Sequence, residues 1–275
     1  MNINQLQNIS DTFPITEKMP VLFLGHGSPM NAIEENQFVR GFREISKKIP
    51  TPNAILCISA HWFTKGTFVT SGEIQKTIHD FYGFPPELFA VEYPAKGNPE
   101  LAKETAELLA PTSVIETESW GLDHGAWSVI RHLYPEAQIP VIQISIDYTQ
   151  PAQYHFDLAK KLQKLREKGI LIIGSGNVVH NLRMIDWKNI NTVGAGWDWA
   201  IEARAKTNEW ILDGNFQNLI HFEKQGTALQ NAIPTPDHYL PLIYTLGLKE
   251  KSEEISLFND ELIGGSLSMT SVKVG

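Results

Sequence analysis

Five of the nine histidines stand in sequence contexts that suit chemistry. His26 lies in Gly25-His26-Gly27-Ser28-Pro29, His61 in Ser59-Ala60-His61-Trp62, and His124 in Gly121-Leu122-Asp123-His124-Gly125. His180 closes Gly174-Ser175-Gly176-Asn177-Val178-Val179-His180, and His238 sits in Pro234-Thr235-Pro236-Asp237-His238-Tyr239. Neutral imidazoles converging on one point are ligands for a transition metal, and an imidazole titrating near neutrality also serves as acid or base. Taken singly, each is an ordinary loop histidine satisfied by solvent or backbone. His79, His132, His155 and His221 are left with that reading. What sets the first five apart is the set of elements that must place them.

Val21-Leu22-Phe23-Leu24 is a continuous apolar run, and 54–60, 141–146 and 170–173 are further strand-like stretches, mostly apolar. Runs of this length suit strands buried on both faces. Helical spacing of Phe38, Phe42 and Ile45 predicts a helix over 34–48, closed by Pro50 and Pro52. Further helices are expected over 98–110, 124–134 and 151–168, the last ended by Gly169. Strand followed by helix, repeated, predicts an α/β fold: one domain with a largely parallel central sheet flanked by helices. In open sheets of this kind ligands bind outside the carboxyl ends of the strands. His26 follows the first strand, His61 the second, and His180 the strand at 170–173. His238 falls just before or at the start of a helix, and His124 where a loop enters one. A metal site at the C-terminal ends of the strands is the expectation. The glycines beside His26 and His180 do not make phosphate loops: the first segment lacks the lysine, the second a third glycine in place. They read instead as residues permitting tight turns beside a packed site.

Composition narrows the function classes. The 275 residues are 42% apolar and 20% charged, enough for a sizeable core. Lys and Arg number 23 against 31 Asp and Glu, a net charge of −8, which argues against a nucleic-acid binder. A single cysteine excludes an internal disulfide and suits a reducing compartment. The opening MNINQLQNISDTF has neither the basic start nor the apolar stretch of a secretory signal, and no apolar run approaches bilayer length. A cytoplasmic protein without membrane contact is expected, with a polar arm over 1–18 and a catalytic domain over 19–275.

Six segments occur in order along the chain: Pro20-Val-Leu-Phe-Leu-Gly-His-Gly-Ser-Pro-Met, Ile58-Ser-Ala-His-Trp, His79-Asp-Phe-Tyr-Gly-Phe-Pro, Gly121-Leu-Asp-His-Gly-Ala-Trp, Gly174-Ser-Gly-Asn-Val-Val-His-Asn-Leu and Thr235-Pro-Asp-His-Tyr-Leu-Pro-Leu. Together they resemble the class III (LigB-like) extradiol ring-cleavage dioxygenases, and within them the DOPA 4,5-dioxygenase branch. The resemblance implies that His26, His61 and His238 hold one divalent metal ion. It places His180 beside that metal, as a further ligand or as the acid/base, and His124 on the substrate side. The superfamily's usual site has two histidines and a glutamate, whereas here His238 stands where a carboxylate is expected. An all-histidine set suits Zn(II) as well as Fe(II), so Zn(II) is an alternative bound species while dioxygenase activity calls for Fe(II).

The implied reaction joins a small aromatic diol and O2 and opens the ring. His180 is the candidate base, and His124 the candidate hydrogen-bond partner of dioxygen or a ring hydroxyl. Ser28, Trp62, Phe81 and Trp127 are the candidate substrate contacts, with Tyr82 and Phe84 nearby and Trp197 and Trp199 in a further cluster. Asp123 and Asp237, each immediately before a histidine, are candidates for orienting an imidazole. The histidine motifs contain no Lys or Arg. Neutral or zwitterionic catechols are therefore expected over strongly anionic ones, unless Arg183 or Arg204 folds into the pocket. Two other readings fit the same residues: a zinc-dependent hydrolase on this scaffold, and a non-catalytic metal-binding relative. A full set of five site histidines argues against the last.

Overall fold

The computed structural model describes residues 16–275. Of the polar arm expected over 1–18, residues 1–15 lie outside that range. Thr16 donates its backbone N–H to Glu167 O at 2.6 Å, and Lys18 pairs with Glu250 and Glu253.

Ten strands appear among the described residues: β1 (Val21–Gly25), β2 (Ala54–Thr64), β3 (Thr67–Thr70), β4 (Val114–Thr117), β5 (Val141–Asp147), β6 (Ile170–Gly176), β7 (Ile255–Phe258), β8 (Leu262–Ile263), β9 (Leu267–Ser268) and β10 (Ser271–Val274). Eight of them form one sheet in the order β4-β3-β5-β2-β6-β1-β10-β7. The centre of the sheet, β5-β2-β6-β1, is parallel throughout. Antiparallel pairing enters where β3 meets β5, and at the other edge through β10 and β7.

Alternation splits the apolar strands between two cores. Val21, Phe23, Leu56, Ile58, Ile170 and Ile172 face helices Ala152–Lys160, Asp198–Leu212 and Leu240–Gly247. Leu22, Leu24, Ile55, Cys57, Leu171 and Ile173 face helices Gln37–Ser46 and His124–Leu133. A strand with both faces covered has no polar side to show, and this is why its sequence reads as an unbroken apolar run. Helix Gln37–Ser46 begins where Asn36 Oδ1 accepts the backbone N–H groups of Phe38 and Val39, each at 3.0 Å. The helix expected over 151–168 is broken into Ala152–Lys160 and Gln163–Glu167, and Gly169 closes it with φ +74°.

Two departures from the sequence reading bear on the site. His61 does not follow the second strand but lies within it, because β2 continues to Thr64. Pairing with β5 jumps from Ile58 opposite Ile144 to Phe63 opposite Ile146, so five residues of β2 span a two-residue step on its neighbour. The surplus bulges outward and carries His61 with it. Likewise Gly174 and Gly176 are not turn residues. Both belong to β6, and a Cβ on Gly176 would lie 2.1 Å from His238 O. The missing side chain lets the segment bearing His238 rest directly on the strand end. Gly27, with φ +62°, is the glycine that makes a turn.

Among the described residues no helix is long and apolar enough to cross a membrane.

Candidate metal centre

Parallel pairing aligns Gly25 of β1 with Gly176 of β6, and Ser59 of β2 with Ser175 of β6, so three strand ends open on the same side. His26 leaves β1 there, its backbone N–H donating to Gly176 O at 3.1 Å. Asn177 donates its backbone N–H to His238 O at 2.9 Å, and His180 donates its own to Ala232 O at 2.8 Å. His124 opens the helix His124–Leu133. All five expected histidines meet in one cluster.

The ring centroids of His26, His61 and His238 form a nearly equilateral triangle, with sides of 5.1, 5.2 and 5.0 Å. His180 stacks on His238, 3.5 Å between centroids and 7° between planes. His124 lies 3.8 Å from His61 and 5.8 Å from His26, centroid to centroid. Nitrogens of His26, His61 and His124 fall within 4.8 Å of one another, so on ligand-atom distance His124, expected on the substrate side, stands as third ligand, while the ring of His238 completes the centroid triangle.

Tautomers distinguish the rings. Ser175 Oγ donates to Gly125 O, so its oxygen is left to accept from His26 Nδ1 at 3.0 Å. Asp80 Oδ2 lies 3.2 Å from His61 Nδ1, and Asp237 Oδ2 accepts from His238 Nδ1. Each Nδ1 of the triangle faces an acceptor, and in the tautomer that places the proton there each Nε2 keeps a free lone pair. His26 Nε2 and His61 Nε2 face each other at 3.3 Å. Two imidazole nitrogens bound at about 2.0–2.1 Å to a tetrahedral ion stand about 3.3–3.4 Å apart. The donor set therefore fits a divalent metal.

Electrostatics favour the same state. Burial, and then the like charge that a protonated His26 would share with His238, His124 and His180, push His26 well below the usual histidine range. Burial followed by His124, His238, His26 and His180 does the same to His61. His180 is lowered to about 3, by burial first and His238 second. A neutral imidazole is the ligand form. Burial pushes Asp80 upward, but its hydrogen bond with His124 and that residue's charge hold the carboxyl below its ordinary value. Asp237 is likewise pushed up by burial and held well down by His238.

Asp80, within His79-Asp-Phe-Tyr-Gly-Phe-Pro, is a site residue that its sequence context alone does not single out. It accepts the His124 backbone N–H at 2.8 Å, lies 3.0 Å from His124 Nδ1, and reaches His61 with its other oxygen. One carboxylate lies within 3.2 Å of two rings from different elements, and only its place between His79 and Phe81 hinted at this. Ser175, buried between two glycines of β6, was also missed.

Asp123 corrects an expectation. Its carboxylate caps the helix at Ala126 N–H and accepts from Ser59 Oγ and Gln143 Nε2, and it does not orient His124. Burial, then the nearby charge of Asp80, raises its pKa. Trp127 has no exposed surface and donates its indole N–H to Ile78 O at 2.9 Å, so it backs Phe81 from within the core and presents no face to a substrate. Phe81 stands edge-on to His124, 5.5 Å between centroids. Ser28 is half-buried and accepts the Met30 N–H at 3.2 Å, and Trp62 stacks on Trp120. Tyr82 is 91% exposed. Trp197 donates to Met184 O. Arg204 is turned to Asp260 O and Glu261, while Arg183 is exposed.

Residues 20–267 match the family described as the catalytic LigB subunit of aromatic ring-opening dioxygenase. A 4,5-DOPA dioxygenase extradiol of Escherichia coli (strain K12) is 44% identical over 97% of this chain and 98% of its own length. The protein of the same name from Beta vulgaris is 35% identical over 97% of both chains. The crystal structure of an uncharacterized protein from Escherichia coli K12 superposes with a TM-score of 0.79 at 40% identity, covering 94% of this chain and all of the other.

Proposed function

We propose that this chain, which belongs to the LigB family of aromatic ring-opening dioxygenases, is an extradiol dioxygenase that opens the ring of a catechol, with DOPA-like catechols as its substrate class. The observation that carries the reading is the triangle of His26, His61 and His238, three rings that each face an acceptor at Nδ1, which in that tautomer leaves each Nε2 lone pair free. These residues would hold the divalent metal. Fe(II) is the catalytic ion in this reading, and Zn(II) is a competing occupant of an all-histidine set.

Once bound, the iron supplies the Lewis-acid and redox chemistry that brings an adjacent diol and O2 together. The protein's own part is proton traffic and orientation. His180, stacked on His238, takes a proton from the diol and returns one to the opened product. His124, held by Asp80 and flanked by Phe81, hydrogen-bonds dioxygen or a ring hydroxyl from the substrate side. Phe81 offers an edge to a flat ring, and Ser28 a hydroxyl at the Gly27 turn. Asp80 and Asp237 put negative charge near the diol, which suits a neutral or zwitterionic catechol better than a strongly anionic one. The single cysteine, Cys57, is buried, in keeping with work in the cytoplasm.

The test is oxygen uptake by iron-reconstituted protein over a small panel of catechols, read together with formation of a yellow product. Uptake with a DOPA-like catechol but not with a monophenol supports the reading. No uptake with any catechol from protein carrying stoichiometric iron overturns it.

A further inference from the structure

On the face of the sheet that carries Leu171 and Ile173 of β6 and Ile55 and Cys57 of β2, the next residue of each series is a serine, Ser175 and Ser59. Parallel register sets the two opposite each other, and both are fully buried. A buried hydroxyl is costly unless it has a partner, and both find one at the start of helix His124–Leu133. Ser59 Oγ donates to Asp123 Oδ1 at 2.6 Å and accepts the backbone N–H of His61 at 3.3 Å, so it docks helix and strand without touching an imidazole nitrogen. Ser175 Oγ stands 2.5 Å from Gly125 O and 3.0 Å from His26 Nδ1. Two oxygens that close need a proton between them, and a carbonyl has none to give, so the single hydrogen of Ser175 goes to Gly125. Toward His26 the hydroxyl shows a lone pair. Gly125 itself must lack a side chain, since a Cβ there would lie 2.6 Å from Ser59 Oγ and 2.7 Å from His61 Cδ2.

We propose that Ser175 is a positioning residue of the metal centre: with its hydrogen taken by Gly125, it selects the His26 tautomer protonated at Nδ1 and so turns the Nε2 lone pair toward the ion. The inference rests on the metal-binding part of the reading above. A neutral imidazole carries its proton on either nitrogen, and the neighbour of one nitrogen decides the form. Here the wrong form has a waiting acceptor. His61 Nε2 lies 3.3 Å from His26 Nε2, so a proton on His26 Nε2 would bridge the two rings in the space where an ion binds. Ser175 opposes that state, because it would leave two lone pairs facing each other at 3.0 Å. It acts through His26 and, unlike Asp80 and Asp237, adds no charge. Its partner, Gly125, directly follows His124 in the chain, so the same link ties the ring leaving β1 to the helix that bears the substrate-side ring.

The experiment compares Ser175→Ala and Ser59→Ala with the parent protein. Long-range proton–nitrogen NMR of metal-free, histidine-labelled protein reads which nitrogen of His26 bears the proton, its signals being assigned by their loss in His26→Ala. Competition with a chromophoric chelator reads the affinity for zinc. The parent should show His26 protonated at Nδ1. Ser175→Ala should show the Nε2-protonated form and bind zinc at least about tenfold more weakly, as for other groups that orient a ligand ring. Ser59→Ala should lose stability in urea unfolding, since Asp123 loses a buried donor, but keep the His26 tautomer and most of the zinc affinity. Ser175→Cys, whose thiol is a weak donor and acceptor, should shift the tautomer and the affinity in the same direction as Ser175→Ala, and it carries the test if Ser175→Ala does not fold. An unchanged His26 tautomer in the Ser175 variants, or an equal loss of zinc affinity in Ser59→Ala, overturns the inference, because the hydroxyl would then serve packing alone. Failure of the ring-opening reading shows itself separately, as no oxygen uptake by iron-loaded wild type with any catechol, while the tautomer and zinc measurements need no turnover.

Discussion

Asp123-His124 and Asp237-His238 are the same dipeptide before a helix, yet the fold uses them differently. Asp237 accepts from the ring of the histidine that follows it. Asp123 turns away from His124 into the core, where it caps a helix and gathers Ser59 and Gln143, and the ring it leaves is taken over by Asp80 from a distant loop. The difference comes from helix geometry. Asp123 is the N-cap residue itself, with φ −75° and ψ 171°, so its side chain folds back on the first turn. Asp237 lies three residues ahead of helix Leu240–Gly247, outside capping range, and is free to meet its neighbour's ring. Adjacency in sequence places two groups near each other, and the local backbone decides whether they meet.

The largest effect should come from removing the rings themselves. His238→Ala is expected to abolish metal retention and oxygen uptake together. His124→Ala should retain metal while losing most turnover. Metal content after dialysis, measured by mass spectrometry beside oxygen uptake, separates the two. Loss of metal from His124→Ala with retention in His238→Ala would reverse the assignment and make the Asp80-held ring the third ligand.

Next come the two carboxylates. Asp123→Ala strands the Ser59 hydroxyl, the Gln143 amide and the Ala126 N–H in a buried site, and should cost about 3 kcal/mol in urea unfolding of the metal-free protein. Affinity for metal should change little. A drop in metal affinity larger than the drop in stability would mean that Asp123 supports the centre after all.

A third buried imidazole, outside the histidine cluster, gives a control. His155 is fully buried, receives the Tyr244 hydroxyl at 2.9 Å, and is lowered by burial to about 4. Because its folded pKa lies below its unfolded value of about 6.5, the unfolded chain takes up the proton first as pH falls. Stability is complete above that value, declines between pH 6.5 and 4, and is down by roughly 2 kcal/mol at pH 5 from this group alone. The loss on going from pH 7 to 5 should therefore be about 2 kcal/mol smaller in His155→Asn than in the parent. An unchanged loss would mean that His155 is protonated in the fold.

The smallest effect is expected from Asp237→Asn, which keeps the shape of the pair but weakens the acceptor. Metal affinity should fall about tenfold, about 1.4 kcal/mol, as for other groups that orient a ligand ring. Stability of the metal-free protein should move by less. An unchanged affinity would show that the Asp237 contact is incidental.

Much of this was open to reading in the chain, for identifiable reasons. Strands covered on both faces must be continuously apolar, so β1, β2, β5 and β6 announced themselves, and with them the side of the sheet where ligands bind. The outer strands β4, β3, β10 and β7 are short and carry no such signal, and none of them was expected. The five histidines could be assigned to one cluster because strand ends converge in a parallel sheet. Asp80 could not be assigned, since a carboxylate in a Gly- and Pro-rich loop has no periodicity to place it. Trp127 was misjudged as a substrate contact because helical spacing does not reveal which face of a fully enclosed helix meets the site.

The sequence by itself determined the four central strands and the helices between them, the parallel centre of the sheet and the histidines at its mouth. Each of those follows from local apolar pattern and chain connectivity. Only the tertiary structure decided which acceptor fixes each ring, because that depends on backbone approaches between distant segments. His238 reaches His26 because Gly176 has no side chain to keep its backbone away. His61 reaches the same centre because β2 outruns β5 and bulges. Both are set where elements meet and not within any one of them.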